Sequence, residues 1–131
     1  MKQSFLYWIP ALIWTGILMY FTLLPGKSVP SYLVQFSDIF LHWAMYLITF
    51  TAYYVAVKGS GFPFSISRKT IVFIALFCVA LGGMLEIIQE TLIPNRDGSW
   101  HDELANTAGI ATALALISIH SKWRTKRAIA H

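Results

Sequence analysis

Residues 86–109 read EIIQETLIPNRDGSWHDELANTAG and connect two long apolar runs of the chain. Glu86 and Gln89 lie at the end of the first run, and Asn106 and Gly109 lie inside the second. Polar side chains at such positions are costly in an apolar environment, and within membranes they usually mark a functional site. The stretch therefore predicts a turn between two helices and places a candidate site beside it.

The composition of the whole chain indicates an integral membrane protein. Hydrophobic residues make up 56% of the 131 residues and charged residues 12%, whereas about a quarter of a soluble domain is charged. The length suits a single domain over residues 1–131. The net charge is +4, but the basic residues are not interleaved with groups that read bases, so we expect no nucleic-acid partner. Cys78 is the one cysteine and lies in an apolar run, which predicts a buried thiol.

Four apolar segments predict an all-α, four-helix transmembrane bundle with helices over residues 5–24, 36–57, 70–92 and 102–119. The first three are about long enough to span a hydrocarbon core of ~30 Å, and the fourth is short. Small residues in the last two helices allow a close approach of neighbouring helices; they are Gly82, Gly83, Ala105, Gly109 and Ala113.

The distribution of basic residues predicts that both termini are cytoplasmic. Four spans place both termini and the middle loop on one side of the membrane. That side holds eight of the ten Lys and Arg residues, namely Lys2, Lys58, Arg68, Lys69, Lys122, Arg124, Lys126 and Arg127. The other side holds Lys27 and Arg96. Because basic loops are retained in the cytoplasm, the loops that contain these two residues are expected to face outward.

Polar residues of three helices are expected to meet near the outer leaflet. Asp38, His42 and Tyr46 are spaced i, i+4, i+8 and therefore share one face of the second helix. At 1.5 Å per residue, His42 and Glu86 lie roughly 6 to 9 Å from the outer ends of their helices. The predicted topology brings the following groups to one depth: Asp38, His42, Tyr46, Glu86, Gln89, Asp102 and Asn106. We therefore predict a polar pocket that opens towards the outer leaflet.

The spacing of these groups resembles that of the VanZ-like family of small bacterial membrane proteins. The motifs are Asp38-x-x-x-His42-x-x-x-Tyr46, Glu86-x-x-Gln89 and Arg96-x-x-Ser99-x-x-Asp102-x-x-x-Asn106-x-x-Gly109. They cover the second to fourth helices. The chain departs from the family at Ile39, where many members have lysine. The resemblance implies a multi-pass protein of the bacterial cytoplasmic membrane with a role in the cell envelope, and a link to resistance against teicoplanin, with which the family's namesake is associated.

Each candidate residue has a functional and a structural interpretation. His42 and Glu86 could form a general acid/base pair or an interhelical hydrogen bond that joins two helices. Asp102 could be a catalytic base or a helix cap, and Arg96 an anchor for an anionic group or a partner in a loop ion pair. Ser99 could be a nucleophile, but a helix-entry turn is favoured because serine is common in such turns.

A metal site formed by His42, Glu86 and Asp102 is chemically possible, since His and carboxylates bind metals. The sequence has no close ligand motif such as His-x-x-x-His, so we expect neither a metal nor another cofactor.

Two functions remain open at this point. The chain could be an envelope enzyme that acts on a lipid-linked or cell-wall-associated substrate, or a non-catalytic binding or assembly protein that shields envelope material or recruits a partner. For the enzyme we expect His42, Glu86 and Asp102 to be catalytic. We expect the substrate to be bound by Asp38, Tyr46, Gln89, Arg96, Ser99 and Asn106. Membrane lipid is the expected surrounding partner in both cases, and the oligomeric state is left open.

Overall fold

The regular elements of the chain are helices. The computed structural model describes residues 5–29, 31, 36–60, 66–95 and 98–129. After a 3₁₀ turn at Phe5–Trp8, four long helices follow: α1 (Ile9–Thr22), α2 (Asp38–Gly59), α3 (Arg68–Leu92) and α4 (Trp100–Ile129). Together with the 3₁₀ turn before α1, these helices give four segments that are long and apolar enough to cross a membrane. The regular structure of the described residues is thus helical, as predicted, and its four long apolar segments indicate a multi-pass membrane protein.

Serine caps set where two of these helices begin. The hydroxyl of Ser37 accepts a hydrogen bond from the backbone N of Phe40 at 3.1 Å, and α2 begins at the next residue. Ser67 accepts from the backbone N of Thr70 at 3.1 Å in the same way, so α3 begins two residues before the predicted start. These bonds satisfy amide groups that would otherwise lack a partner in the first helical turn.

The fourth helix is longer than the sequence predicted. We expected it over residues 102–119, but it runs from Trp100 to Ile129. The predicted end was placed where the apolar run gives way to basic residues. That point marks where the chain leaves an apolar environment, whereas Lys and Arg are good helix formers and let the helix continue. The portion Trp100–Trp123 has 24 residues, so α4 is not short for a membrane span.

Consecutive helices run in opposite directions. At one end of the bundle, the end of α3 bonds to the end of α1 through Gln89 and Thr22, and the start of α2 bonds to the start of α4 through His42 and Asn106. We call this the cluster end. At the other end, Tyr7 packs against Gly59 at the end of α2, and His120 of α4 lines a groove together with Lys58 of α2. We call this the terminal end.

The closest helix pair is α2 with α4. A Cβ atom on Gly109 would overlap the carbonyl oxygen of Trp43 and lie 2.9 Å from the backbone N of Leu47, so the two backbones touch. Ala105 and Ala113, one turn to either side, are buried. The small-residue ridge predicted on the fourth helix is therefore the surface that meets α2. Of the two adjacent glycines in α3, only Gly82 lies in a close contact between helices. A Cβ on Gly83 would meet nothing within 4 Å.

The apolar core lies below the cluster end. It contains Leu18, Phe50, Ile74 and Leu85, and the thiol of Cys78 is buried among them as predicted. Large apolar side chains also cover the outside of the bundle; examples are Phe73 at 71% exposure, Leu76 at 63% and Ile87 at 63%. In a soluble protein such a surface would promote association, whereas lipid covers it in a membrane.

Candidate functional site

His42 lies at the centre of the polar groups at the cluster end. Its Nδ1 atom is 3.1 Å from Oδ1 of Asn106 on α4 and 3.6 Å from Oε1 of Glu86 on α3. The imidazole is 6% exposed and Glu86 is 8% exposed. Because an amide oxygen only accepts, Nδ1 carries the proton in this hydrogen bond. The buried imidazole of His42 therefore lies between α3 and α4 and contacts both. A small rotation of the Glu86 side chain would bring its carboxylate into a direct hydrogen bond with the imidazole.

Asn106 connects His42 to a second carboxylate. While its Oδ1 accepts from His42, its Nδ2 donates to Oε2 of Glu103 at 3.0 Å. The backbone of α3 approaches closely here, because a Cβ on Gly82 would lie 2.7 Å from Oε2 of Glu103 and 3.0 Å from Nδ2 of Asn106. A glycine at position 82 therefore leaves room for the amide–carboxylate pair. We refer to His42, Glu86, Asp102, Glu103 and Asn106 as the polar cluster.

The turn before α4 holds the second oxygen of Glu86. The backbone N of Ser99 donates to Oε2 of Glu86 at 3.1 Å. The Ser99 hydroxyl accepts from the backbone N of His101 at 3.2 Å, and its carbonyl accepts from the backbone N of Asp102 and of Glu103. Ser99 is therefore the N-cap of α4, in line with the structural interpretation of this residue. Asp102 is not the cap: it lies three residues further on, in the first turn, where a carboxylate also favours the helix dipole.

Asp102 completes a group of three possible ligands. One nitrogen of His42 and one carboxylate oxygen each from Glu86 and Asp102 lie within 4.8 Å of one another. All three residues are buried, and Asp102 is 8% exposed. Asp102 has a further interaction with its surroundings. The three side chains for which a catalytic role was predicted are thus brought together, although they are 44 and 16 residues apart in the chain.

The residues with a predicted role in substrate binding are distributed differently. Tyr46 is buried one turn below His42, beside Gly82. Gln89 is buried too, but its Nε2 donates to the carbonyl oxygen of Thr22 at 2.6 Å, so it connects α3 to α1. Asp38 is exposed at the first residue of α2 and does not reach inward. Arg96 lies outside the described residues.

The departure from the VanZ-like pattern lies at the surface. Ile39 is 54% exposed at the start of α2. Ile39 is not among the described residues in polar contact with His42.

Three cavities occur in other parts of the described chain. Their volumes are about 310, 370 and 680 Å³. Residues of the terminal end line them, among them Trp8, Tyr7 and His120. None of these three cavities is lined by His42, Glu86 or Asp102, so the polar pocket at the cluster end stays a prediction.

Glu103 is a site residue that sequence reasoning missed. It follows Asp102 directly, at the start of the predicted fourth helix, and no role was predicted for it. Its spacing of i, i+3 to Asn106 was the available signal, because residues at this spacing lie on the same helix face. That spacing indicates that Glu103 and Asn106 share a face of α4, and the small Gly82 of α3, for which close packing was predicted, lies next to both.

Fold and site define a class of protein: a four-helix, membrane-spanning protein with a buried cluster of imidazole, carboxylate and amide groups at one end. Comparison with known proteins does not narrow this class, because no family model, no curated protein and no solved structure matches the chain.

Proposed function

We propose that the chain is a VanZ-like protein of the bacterial cytoplasmic membrane that acts at the outer leaflet on a lipid-linked or cell-wall-associated substrate, with a link to teicoplanin resistance. The observation that carries the proposal is the buried group of His42, Glu86 and Asp102, drawn from three helices. Burying ionisable groups inside a membrane span costs free energy, whereas apolar side chains at the same positions would not. We therefore infer that these groups are retained for a function.

The orientation in this proposal rests on charge. The terminal end carries Lys58 at the end of α2 and Arg68 and Lys69 at the start of α3, and eight of the ten basic residues belong to the segments on this side. Under the positive-inside rule the terminal end is cytoplasmic, with both termini inside, and the cluster end faces outward.

The chemistry assigned to the site is proton transfer. Glu86 Oε1 lies 3.6 Å from His42 Nδ1, close enough for a proton to pass after a small movement, and a positioned acid/base pair contributes about 10² to 10⁴-fold to a rate. Asn106 and the backbone N of Ser99 hold the two partners in place. Arg96 would bind an anionic group of the substrate, and Asp102 would shape the pocket beside it.

A second candidate function is a non-catalytic binding or assembly protein. The hydrogen bonds within the cluster favour it, since Asn106 bonds to both His42 and Glu103 and the turn before α4 bonds to Glu86. Such a network fixes the relative positions of three helices without any reaction. In this role the outer surface of the cluster end would bind envelope material or a partner protein.

The variant Glu86→Gln separates the two functions. The amide keeps the shape of the side chain and can still accept from the backbone N of Ser99, but it cannot carry a proton between groups. For an enzyme we expect teicoplanin resistance to fall to the level of cells without the protein, while the thermal stability of detergent-solubilised protein and the lipid that copurifies with it are unchanged. For a binding protein, copurifying lipid and resistance should fall together.

The matched control is Glu90→Gln, one helical turn further along α3, where the side chain is exposed. This variant should behave like the wild type in every measurement. The wild-type chain must first confer resistance in the host used. Full resistance and normal stability of Glu86→Gln would rule out the acid/base role.

A further inference from the structure

No metal was expected from the sequence, because it has no local ligand motif. The fold, however, brings possible ligands together from distant positions in the chain. His42, Glu86 and Asp102 come from three different helices and contribute one nitrogen and two oxygens within 4.8 Å of one another. Each of them is more than nine-tenths buried. These three residues are possible ligands by sequence as well, and the absence of a local motif does not exclude a site whose ligands come from distant positions.

The distances suit a small divalent ion. Bonds of about 2.1 Å from zinc to nitrogen and oxygen place tetrahedral ligands about 3.4 Å apart. His42 Nδ1 and Glu86 Oε1 are already 3.6 Å apart. Other pairs extend up to 4.8 Å, so their ligand atoms would have to approach by up to about 1.4 Å through side-chain rotation to reach the tetrahedral spacing. The imidazole nitrogen selects zinc and similar transition metals over magnesium or calcium, which prefer oxygen ligands throughout.

The charges of Glu86 and Asp102 also favour a divalent ion. Glu86 faces Asp102 and Glu103 as like charges at the cluster end. An ion of charge +2 between Glu86 and Asp102 gives a ligand set with no net charge and offsets the repulsion between the two carboxylates. Glu103 is not needed for this, since it remains hydrogen-bonded to Nδ2 of Asn106.

The surrounding residues resemble the outer shell of a metal site. The backbone N of Ser99 orients Glu86 through the oxygen that does not face His42. Asn106 Oδ1 lies 3.1 Å from His42 Nδ1. When an ion takes the place of the proton on Nδ1, this amide oxygen is left next to the ion, where it can act as a fourth ligand. Outer-shell groups of this kind fix ligand geometry and tune affinity.

We propose that His42, Glu86 and Asp102 bind a divalent transition-metal ion with zinc-like preferences. The proposal does not need the envelope function, because metal content is measured on the purified protein without substrate. It does decide between roles for the same residues: with an ion bound, His42 and Glu86 are ligands and do not themselves exchange a proton.

The test uses the full chain in detergent, without an affinity tag. The protein is stripped with EDTA, incubated with ZnCl₂ and desalted, and its zinc is determined by mass spectrometry. We expect about one zinc per chain. Competition with a chromogenic chelator should show at least about 100-fold weaker zinc binding for Glu86→Gln and Asp102→Asn, since loss of even an outer-shell group costs 10 to 100-fold. Asn106→Ala should bind zinc about 10 to 100-fold more weakly than the wild type.

Two controls identify zinc bound elsewhere. Glu90→Gln removes an exposed carboxylate of α3, and His120→Gln removes an exposed imidazole at the terminal end; both should bind zinc like the wild type. Visible absorption of Co²⁺ in place of zinc gives a second readout of a buried site, and circular dichroism checks that each variant is helical. The proposal is overturned when the wild type holds no more zinc than a helical Glu86→Gln, or when His120→Gln removes the bound zinc.

Discussion

The contact between α2 and α4 predicts that a single methyl group at position 109 destabilises the bundle. A Cβ on Gly109 would overlap the carbonyl oxygen of Trp43 and lie 2.9 Å from the backbone N of Leu47. Both neighbours are backbone atoms and cannot rotate aside. In Gly109→Ala the two helices must therefore separate, and the His42–Asn106 hydrogen bond that spans the same pair must lengthen.

The magnitude follows from comparison with a second glycine. Replacing glycine by alanine inside a helix stabilises it by about 1 kcal/mol. Gly83 in α3 has no atom within 4 Å of an added Cβ, so Gly83→Ala should show this gain alone. Gly109→Ala has the same gain, but overpacking typically costs about 1 to 3 kcal/mol. The difference between the two variants isolates the packing cost and should be about 1 to 3 kcal/mol, with Gly109→Ala the less stable.

The measurement is unfolding of detergent-solubilised protein by SDS titration, followed by far-UV circular dichroism. Both variants and the wild type are compared in one detergent, so that the reference state is shared. Gly83→Ala should be as stable as the wild type or more stable. Equal stability of Gly109→Ala and Gly83→Ala would refute a backbone contact between α2 and α4.

Three further predictions concern other parts of the bundle. In a background without the native cysteine, Ser28→Cys should react with a membrane-impermeant thiol reagent in intact cells and Ser67→Cys should not; the reverse pattern would place the cluster end in the cytoplasm. Gln89→Met should lower the free energy of unfolding by about 1 to 3 kcal/mol, because a buried carbonyl at the end of α1 loses its donor; an unchanged SDS midpoint would contradict this. Ser99→Ala should cost about 1 kcal/mol through loss of the cap and keep resistance, whereas loss of resistance at normal stability would indicate a nucleophile.

The spans and the meeting of the three polar helices were accessible from the sequence, since both depend on hydropathy and on distance from a helix end. A rise of 1.5 Å per residue places His42 and Glu86 at one depth, and the structure has their side chains 3.6 Å apart. The side on which a residue lies was harder to predict. Asp38 shares a helix face with His42 but is exposed, as are the other residues of the first turn of α2.

Features that depend on packing between distant segments could not be predicted. Nothing local distinguishes Gly82, which faces Glu103 and Asn106, from Gly83, which faces open space. Glu103 was missed for a different reason: the signal was local, an i, i+3 spacing to Asn106 within α4, and it was not used. The sequence indicates that His42, Glu86 and Asp102 could form a ligand group, but the approach of their ligand atoms to within 4.8 Å of one another exists only after folding.

The order of synthesis sets a minimum delay before the hydrogen bond between His42 and Asn106 can form. The two residues are 64 positions apart, so at 5 to 20 residues per second the ribosome needs roughly 3 to 13 s to supply the partner. Throughout that interval α2 resides at the membrane with an imidazole whose amide acceptor has not yet been made. An imidazole without that partner is better solvated near the lipid headgroups than in the hydrocarbon core. A chain that stalls before α4 contains His42 and Glu86 but lacks the amide and the carboxylates that α4 adds to the polar cluster.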